Sequence, residues 1–252
     1  MSDCESPFEI YGLIGYPLKH SFSKAFFTDK FRRERVNADY RNYELEDIES
    51  LRDILSGNAS LKGFNVTIPY KKAIIGLLDE IDEEAARVGA VNTVKICAGR
   101  LKGYNTDVHG FVESIRPYIL PRHKKALVLG TGGASAAVCF GLEKLGLEHR
   151  TVSRTKCKAD FTYDELTPEL IGRFQVIVNA TPLGTFPVTD ACPDIPYEGI
   201  DSRHLCMDLV YNPAETLFLK KAASNGAATL NGLEMLHLQA EKAWEIWQKD
   251  DF

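Results

Sequence analysis

The run KALVLGTGGAS, residues 125–135, couples a short apolar segment to a glycine-rich turn. Residues 126–129 are apolar throughout, as a strand buried on both faces requires, and Gly130, Gly132 and Gly133 follow at once. Glycines between a strand and a helix let backbone amides close on a pyrophosphate, whose charge the helix dipole favours, and Ala134 continues the turn without bulk. Ser135 stands where the third glycine of G-x-G-x-x-G would pack helix on strand, and a small residue serves there too. A glycine-rich turn that binds nothing is the plain alternative. The end of the next strand, about 20 residues on, bears on the choice of cofactor, because an NAD site carries an Asp or Glu there for the ribose. This chain has Ser153, Arg154 and Thr155, with Lys156 and Lys158 behind. A guanidinium pairs with a 2′-phosphate and stacks on adenine, and no carboxylate is at hand for a free 2′-hydroxyl, so NADP is expected over NAD. The competing reading is a solvated group of charges at a strand end.

Other polar groups cluster at the starts of expected helices. His20, Ser21 and Ser23 stand at the mouth of a helix running to about Glu34. One hydroxyl there is an ordinary cap, whereas two hydroxyls with free amides also form a carboxylate cradle, and both readings stay open. Lys71 precedes a helix expected at 72–78, the end where the dipole prefers an anion, so it is either a solvated lysine or one with a task. Asp107, after Asn105 and Thr106, is where a dipole would place it and gains meaning only together with Lys71.

The elements that must hold these groups alternate strand and helix, which implies α/β layers with parallel sheet. Strands are expected at 9–14, 40–45 and 63–66, with an amphipathic helix on Ile48, Leu51, Ile54 and Leu55. Residues 88–96 read as a loop leading into a strand, and the helix after Asp107 carries Phe111, Ile115 and Tyr118 on one stripe. Past the glycine turn come strands at 149–152, 175–178, 204–210 and 228–230, a helix at 216–225, and a final helix at 235–247. The turn Asn179 to Gly184 would edge the nicotinamide half of a dinucleotide site, and the strand at 204–210 presents Asp208 and Tyr211 at its carboxyl end. The fold class is therefore α/β with two α/β domains. An N-terminal substrate domain with a mainly parallel sheet takes 1–107, a Rossmann-like dinucleotide domain takes 108–231, and 232–252 form a C-terminal helix returning to the first. Pro117 opens a hinge expected at 117–124.

Composition narrows the class further. At 252 residues, 44% hydrophobic and 26% charged, the chain has material for two ordinary cores and no bias toward disorder. A net charge of −5 offers no basic field for nucleic acid. The six cysteines show no paired spacing, so free thiols in a reducing, cytoplasmic setting are expected, with no metal site. No apolar run is long enough for a membrane span.

Nine motifs occur in order: GYPLKHSFS, GFNVTIPYK, GAVNT, GYNTDVHGF, LVLGTGGAS, SRT, NATPLGT, DLVYNP and GLEMLHLQA. Through them the sequence resembles the shikimate dehydrogenase family from about Ile10 to Ala240. The resemblance implies NADP-dependent, reversible reduction of 3-dehydroshikimate to shikimate, a step of aromatic amino acid biosynthesis, in a cleft between the two domains of a monomer or homodimer. It implies that Ser21 and Ser23 hold the substrate carboxylate and that Thr67, Asn92, Asp107, Tyr211 and Gln239 contact the carboxylate or the ring hydroxyls. Lys71 and Asp107 become the catalytic pair, with Lys71 as proton donor and acceptor. Gly130, Gly132, Gly133 and Ala134 go to the pyrophosphate, and Ser153, Arg154 and Thr155 to the 2′-phosphate. Thr181, Leu209 and Gly232 border the nicotinamide. The chain departs from the family pattern at Lys24, where proline is common, at Phe27 and Thr28, and at Ser153, where asparagine is usual. Two alternatives accompany this reading: a quinate-oxidising paralogue using NAD, and a dinucleotide-binding sensor without catalysis, which would have no need of Lys71 and Asp107 together.

Overall fold

A computed structural model describes residues 8–18 and 22–251, and the chain divides into two compact units, 1–106 with 240–252, and 107–239. The first unit contains β1 (Glu9–Gly15), α1 (Phe22–Glu34), β2 (Ala38–Glu44), α2 (Leu51–Ser56), β3 (Leu61–Val66), β4 (Glu80–Ile81), α3 (Glu83–Val88), β5 (Thr93–Cys97) and β6 (Arg100–Tyr104). Helix α4 (Thr106–Ile115) starts at its boundary. The second unit continues with β7 (Lys125–Leu129), α5 (Gly133–Lys144), β8 (Glu148–Ser153), β9 (Phe161–Thr162), α6 (Pro168–Ile171), β10 (Val176–Asn179), β11 (Leu205–Asp208), α7 (Leu217–Ser224) and β12 (Ala228–Leu230). Helix α8 (Leu233–Trp247) ends the chain and is divided between the units after Gln239.

In the first unit the sheet order is β2-β1-β3-β5-β6-β4. Strand β1 pairs in parallel with β2 and β3, whereas β5 runs antiparallel to β3 and to β6. The short return at 98–99 makes that hairpin, with both Ala98 and Gly99 at positive φ. One face of the sheet buries Ile14, Leu51, Phe64, Ile74 and Val94. The other buries an aromatic cluster in which Tyr11 stacks on Trp247 at 4.8 Å and Phe27 on Tyr40 at 4.7 Å. Ring pairs of this kind contribute about 1 kcal/mol each beyond their burial. The cluster anchors the last turns of α8: Trp247 Nε1 donates to Val94 O at 3.0 Å. Past the helix, buried Lys95 donates from Nζ to the carbonyls of Lys249 and Asp251, and burial lowers its pKa.

The second sheet is parallel throughout, in the order β12-β11-β10-β7-β8-β9. The strand order reverses between β7 and β10, the doubly wound arrangement that opens a ligand crevice at the carboxyl ends of those strands. Ala126, Leu127, Val128 and Leu129 fill β7, and the helix after it supplies Ala137, Val138 and Gly141 for close packing. A Cβ on Gly141 would come 2.6 Å from the Phe111 ring, so α4 and α5 cross without room for a side chain.

Three expectations change. Residues 117–124 lie inside the second unit. A 3-10 turn, Arg116–Tyr118, prolongs α4, and buried His123 accepts from Leu120 N through Nδ1 at 3.2 Å, so the expected hinge lies within one unit. Tyr118 falls outside the helix and is exposed, while Phe111 and Ile115 are buried as the stripe requires. The helix expected at 72–78 is a 3-10 turn, Ala73–Leu77, and Lys71 stands outside it. A dipole of that length gives no account of Lys71.

Candidate functional site

A cavity of about 660 Å³ opens in the second unit at the carboxyl ends of β7, β8 and β10, where the strand order reverses. Gly130, Thr131 and Gly132 line one side. Gly130 is at φ +108°, and a Cβ there would press to 3.0 Å from Thr181 Cγ2 and 3.2 Å from Ala180 O, so conformation and space both demand glycine. Gly132 caps α5 in extended conformation and brings no side chain to the first-turn amides. Ser135 does more than stay small: its buried hydroxyl donates to Gly130 O at 2.7 Å, tying the first turn of α5 back to the loop.

Ser153 and Arg154 form a second side of the cavity. Ser153 Oγ accepts from Thr155 N at 3.3 Å and lies 3.5 Å from Thr131 Oγ1, so the two loops meet through hydroxyls. Arg154 is exposed, beside Tyr163, whose phenol is raised by burial and held back by the guanidinium charge. Lys156 is engaged elsewhere, with both oxygens of Glu165 at 2.5 and 2.6 Å. Ala180, Thr181, Pro182 and Leu183 close a third side, with Cys192 and Asp194 beyond. The volume falls within the range of cofactor sites, and a glycine-rich loop in the same lining as a guanidinium fits a dinucleotide that carries a further phosphate.

Behind the third side the chain buries a polar cluster. Thr181 donates to Asn179 Oδ1 from its N at 3.0 Å and its Oγ1 at 2.6 Å. Asn179 Nδ2 donates to Asp208 Oδ1 at 3.0 Å. Asp208, expected at the carboxyl end of its strand, points inward and is 0% exposed. Burial raises its pKa to about 6, against the opposing effect of its donors Thr216, Val210 and Asn179. Leu209 and Gly232 do come together: a Cβ on Gly232 would overlap the Leu209 carbonyl. Tyr211 nearby in sequence is 36% exposed.

In the first unit, Thr67 and Lys71 follow β3 in a half-buried turn, held where Val91 N donates to Lys71 O at 2.7 Å. Asn92, expected to contact substrate, is buried and serves the backbone: Oδ1 accepts from Thr106 N at 2.7 Å and Nδ2 donates to Thr106 Oγ1 at 3.0 Å. It thereby fixes the start of α4, the helix that carries Asp107. Asn65 extends the cluster, donating to Thr93 Oγ1 at 3.1 Å and accepting from Tyr40 at 2.7 Å, and Ser23 donates in turn to Tyr40. Ser21 lies outside the described residues.

Asp107 and Gln239 belong to one helix crossing in the second unit. Asp107 is 7% and Gln239 8% exposed. A Cβ on Gly110, one turn after Asp107, would lie 2.5 Å from Met235 O and 3.0 Å from Gln239 Cβ. The glycine sets the approach of α4 to α8, and Gln239 Nε2 donates to Leu236 O at 2.9 Å. Sequence reasoning passed over Gly110, Tyr163 and the Asn179–Asp208 pair; a glycine inside a helical pattern was the one available signal.

A family model described as the shikimate dehydrogenase substrate binding domain matches residues 13–94. The shikimate dehydrogenase (NADP(+)) of Caldanaerobacter subterraneus subsp. tengcongensis is 38% identical, over 98% of this chain and 94% of that one. The enzyme of the same name from Aquifex aeolicus is 41% identical, over 95% and 91%. Among solved structures, shikimate 5-dehydrogenase from Thermus thermophilus in complex with NADP(H) and shikimate superposes with a TM-score of 0.85 at 33% identity, covering 96% of this chain and 94% of that one. With this degree of identity along almost its entire length, the chain belongs to the shikimate dehydrogenase family.

Proposed function

We propose that the protein catalyses the NADP-dependent, reversible reduction of 3-dehydroshikimate to shikimate, a step toward aromatic amino acids. The observation that carries the cofactor half is that Arg154 and the Gly130–Gly132 loop line the same cavity. Gly130, Gly132, Gly133 and Ala134 approach the pyrophosphate through backbone, Arg154 pairs with the 2′-phosphate, and Ser153 and Thr155 support it with hydroxyl and amide groups. Thr181, Leu209 and Gly232 border the nicotinamide. NADP, when bound, supplies and accepts the hydride.

Substrate roles follow from chemistry. Ser21 and Ser23 hold the carboxylate, while Thr67, Asn92, Tyr211 and Gln239 bind the carboxylate or the ring hydroxyls. Reduction of a ring ketone builds negative charge on its oxygen, and Lys71 Nζ stabilises that charge and donates the proton. In the oxidative direction neutral Lys71 Nζ takes the hydroxyl proton. Asp107 orients the ammonium and a substrate hydroxyl. The substrate domain is assigned to 1–107, the cofactor domain to 108–231, and 232–252 to the returning helix. A soluble cytoplasmic enzyme, monomeric or homodimeric, fits this metabolic role.

The test is reduced-nicotinamide absorbance with purified protein, NADP and either shikimate or quinate. Reduction with shikimate at least about tenfold faster than with quinate, the discrimination one hydrogen-bonded hydroxyl supplies, is expected. Faster turnover of quinate would overturn the substrate assignment and keep the chemistry. NADP binding without any turnover would overturn catalysis.

A further inference from the structure

We propose that Asp208 is a positioning residue for the cofactor wall: its buried side chain fixes the orientation of the Asn179 amide and, through it, the Thr181 turn that lines the cavity. The proposal rests on the cofactor reading above and adds to it a residue that touches neither cofactor nor substrate.

What each atom is able to donate fixes the amide's orientation. A backbone N–H only donates, so the Asn179 atom that faces Thr181 N at 3.0 Å is the amide oxygen, and the same oxygen accepts from Thr181 Oγ1 at 2.6 Å. The opposite end of that amide is then an NH2 group in a fully buried position, and it needs an acceptor. Asp208 Oδ1 is that acceptor, at 3.0 Å. Were the side chain apolar, the NH2 would be orphaned, and rotation of the amide to repair it would break both bonds to Thr181.

Asp208 is itself held by two further segments. Val210 N donates to Oδ1 at 3.0 Å, and Thr216 Oγ1 donates to Oδ2 at 2.6 Å. Thr216 is the N-cap of α7 and accepts from Leu219 N at 3.3 Å, so its own proton is committed to Asp208. One carboxyl therefore joins the end of β10, the turn after β11 and the start of α7. Backbone bonds reinforce the joint: Leu209 N donates to Asn179 O at 3.0 Å and Phe186 N to Asn212 O at 3.0 Å. The loop at 180–184, which supplies the wall, also folds over Thr216, since a Cβ on Gly184 would lie 3.5 Å from Thr216 Cβ.

The test compares Asp208→Ala, Asp208→Asn and Thr216→Val with the wild-type enzyme, measuring kcat and KM for NADP and for shikimate separately, with NADP affinity by calorimetry. Misplacing a binding wall by a fraction of an ångström predicts a rise of about tenfold in KM for NADP in Asp208→Ala, with KM for shikimate within about twofold. Asp208→Asn should stay within about twofold on every parameter, because its amide oxygen still accepts from Asn179 and its NH2 donates to Thr216. Should the alanine variant fail to fold, Thr216→Val removes one donor and predicts a rise of about threefold in KM for NADP alone. Folded variants with unchanged KM for NADP, or with both KM values raised alike, would overturn the proposal. Wild-type protein that neither binds NADP nor turns over would overturn the cofactor reading and this proposal together, a result distinct from active wild type with silent variants.

Discussion

Each unit hides a polar cluster behind the groups assigned to chemistry, and the two are built differently. In the first, Tyr40, Asn65, Asn92, Thr93 and Thr106 are all neutral, and their hydrogen bonds run across β2, β3, β5 and the start of α4. In the second, a carboxyl at 0% exposure is the hub, and burial raises its pKa to about 6. Amides and hydroxyls satisfy one another without a charge to desolvate, so the first cluster holds its geometry at any moderate pH. The second gains a stronger acceptor at the expense of a proton-linked stability. The lesson is that neutral groups suffice to fix the Asn92 amide in the first cluster, whereas in the second a buried carboxyl is the acceptor that fixes the Asn179 amide and brings a proton linkage with it.

The largest effect separates the regions by kinetics. Lys71→Ala should lower turnover by about 10³-fold, in the range of a lost general acid, while NADP affinity by calorimetry stays unchanged. A variant within a few-fold of wild type would remove Lys71 from the chemistry. Next comes the proton linkage of Asp208. Its folded pKa, about 6 against an ordinary 3.8, means the folded state holds the proton more tightly, so this group's contribution is most favourable below about pH 4 and falls as pH rises toward 6. Asp208→Asn removes the linkage and should be more stable than wild type by up to about 3 kcal/mol at pH 7, with no gain at pH 4. Urea unfolding of both proteins at the two pH values measures it, and an equal difference at both would contradict the buried-carboxyl account.

The neutral cluster should behave oppositely. Asn92→Ala leaves Thr106 N without its acceptor and should cost about 2 kcal/mol, equally at pH 5 and pH 8. A pH-dependent loss would mean that a charged group shares the cluster. Smallest is Ser135→Ala, which removes the hydroxyl bond to Gly130 O and should lower stability by about 1 kcal/mol. Hydrogen exchange at the amides of residues 130–133 should quicken in that variant and stay unchanged elsewhere.

The same contrast explains what was legible. The glycine turn, the strand before it and Arg154 are each read by local rules, and the cavity wall contains the turn and Arg154. Local rules failed where elements are too short for a periodic pattern. Helix α3 is announced only by Asp82, which caps Glu84 N, and by left-handed Gly89, and α6 only by Thr167 before Pro168. Both clusters escaped for another reason: Tyr40 meets Asn65 and Asn179 meets Asp208 across 25 and 29 residues, and no spacing rule joins such partners. Asp208 reads from sequence only as a residue at a strand's carboxyl end, and its inward turn depends on donors from two later segments.

Cofactor choice turns most directly on Arg154, and the decisive measurement is kcat/KM with shikimate for NADP and for NAD, in the wild type and in Arg154→Gln. A charge-assisted contact to a 2′-phosphate predicts a preference for NADP of at least about tenfold in the wild type, collapsing toward parity in the variant while NAD is little affected. Equal use of the two cofactors by the wild type, or a preference that survives in Arg154→Gln, would contradict it.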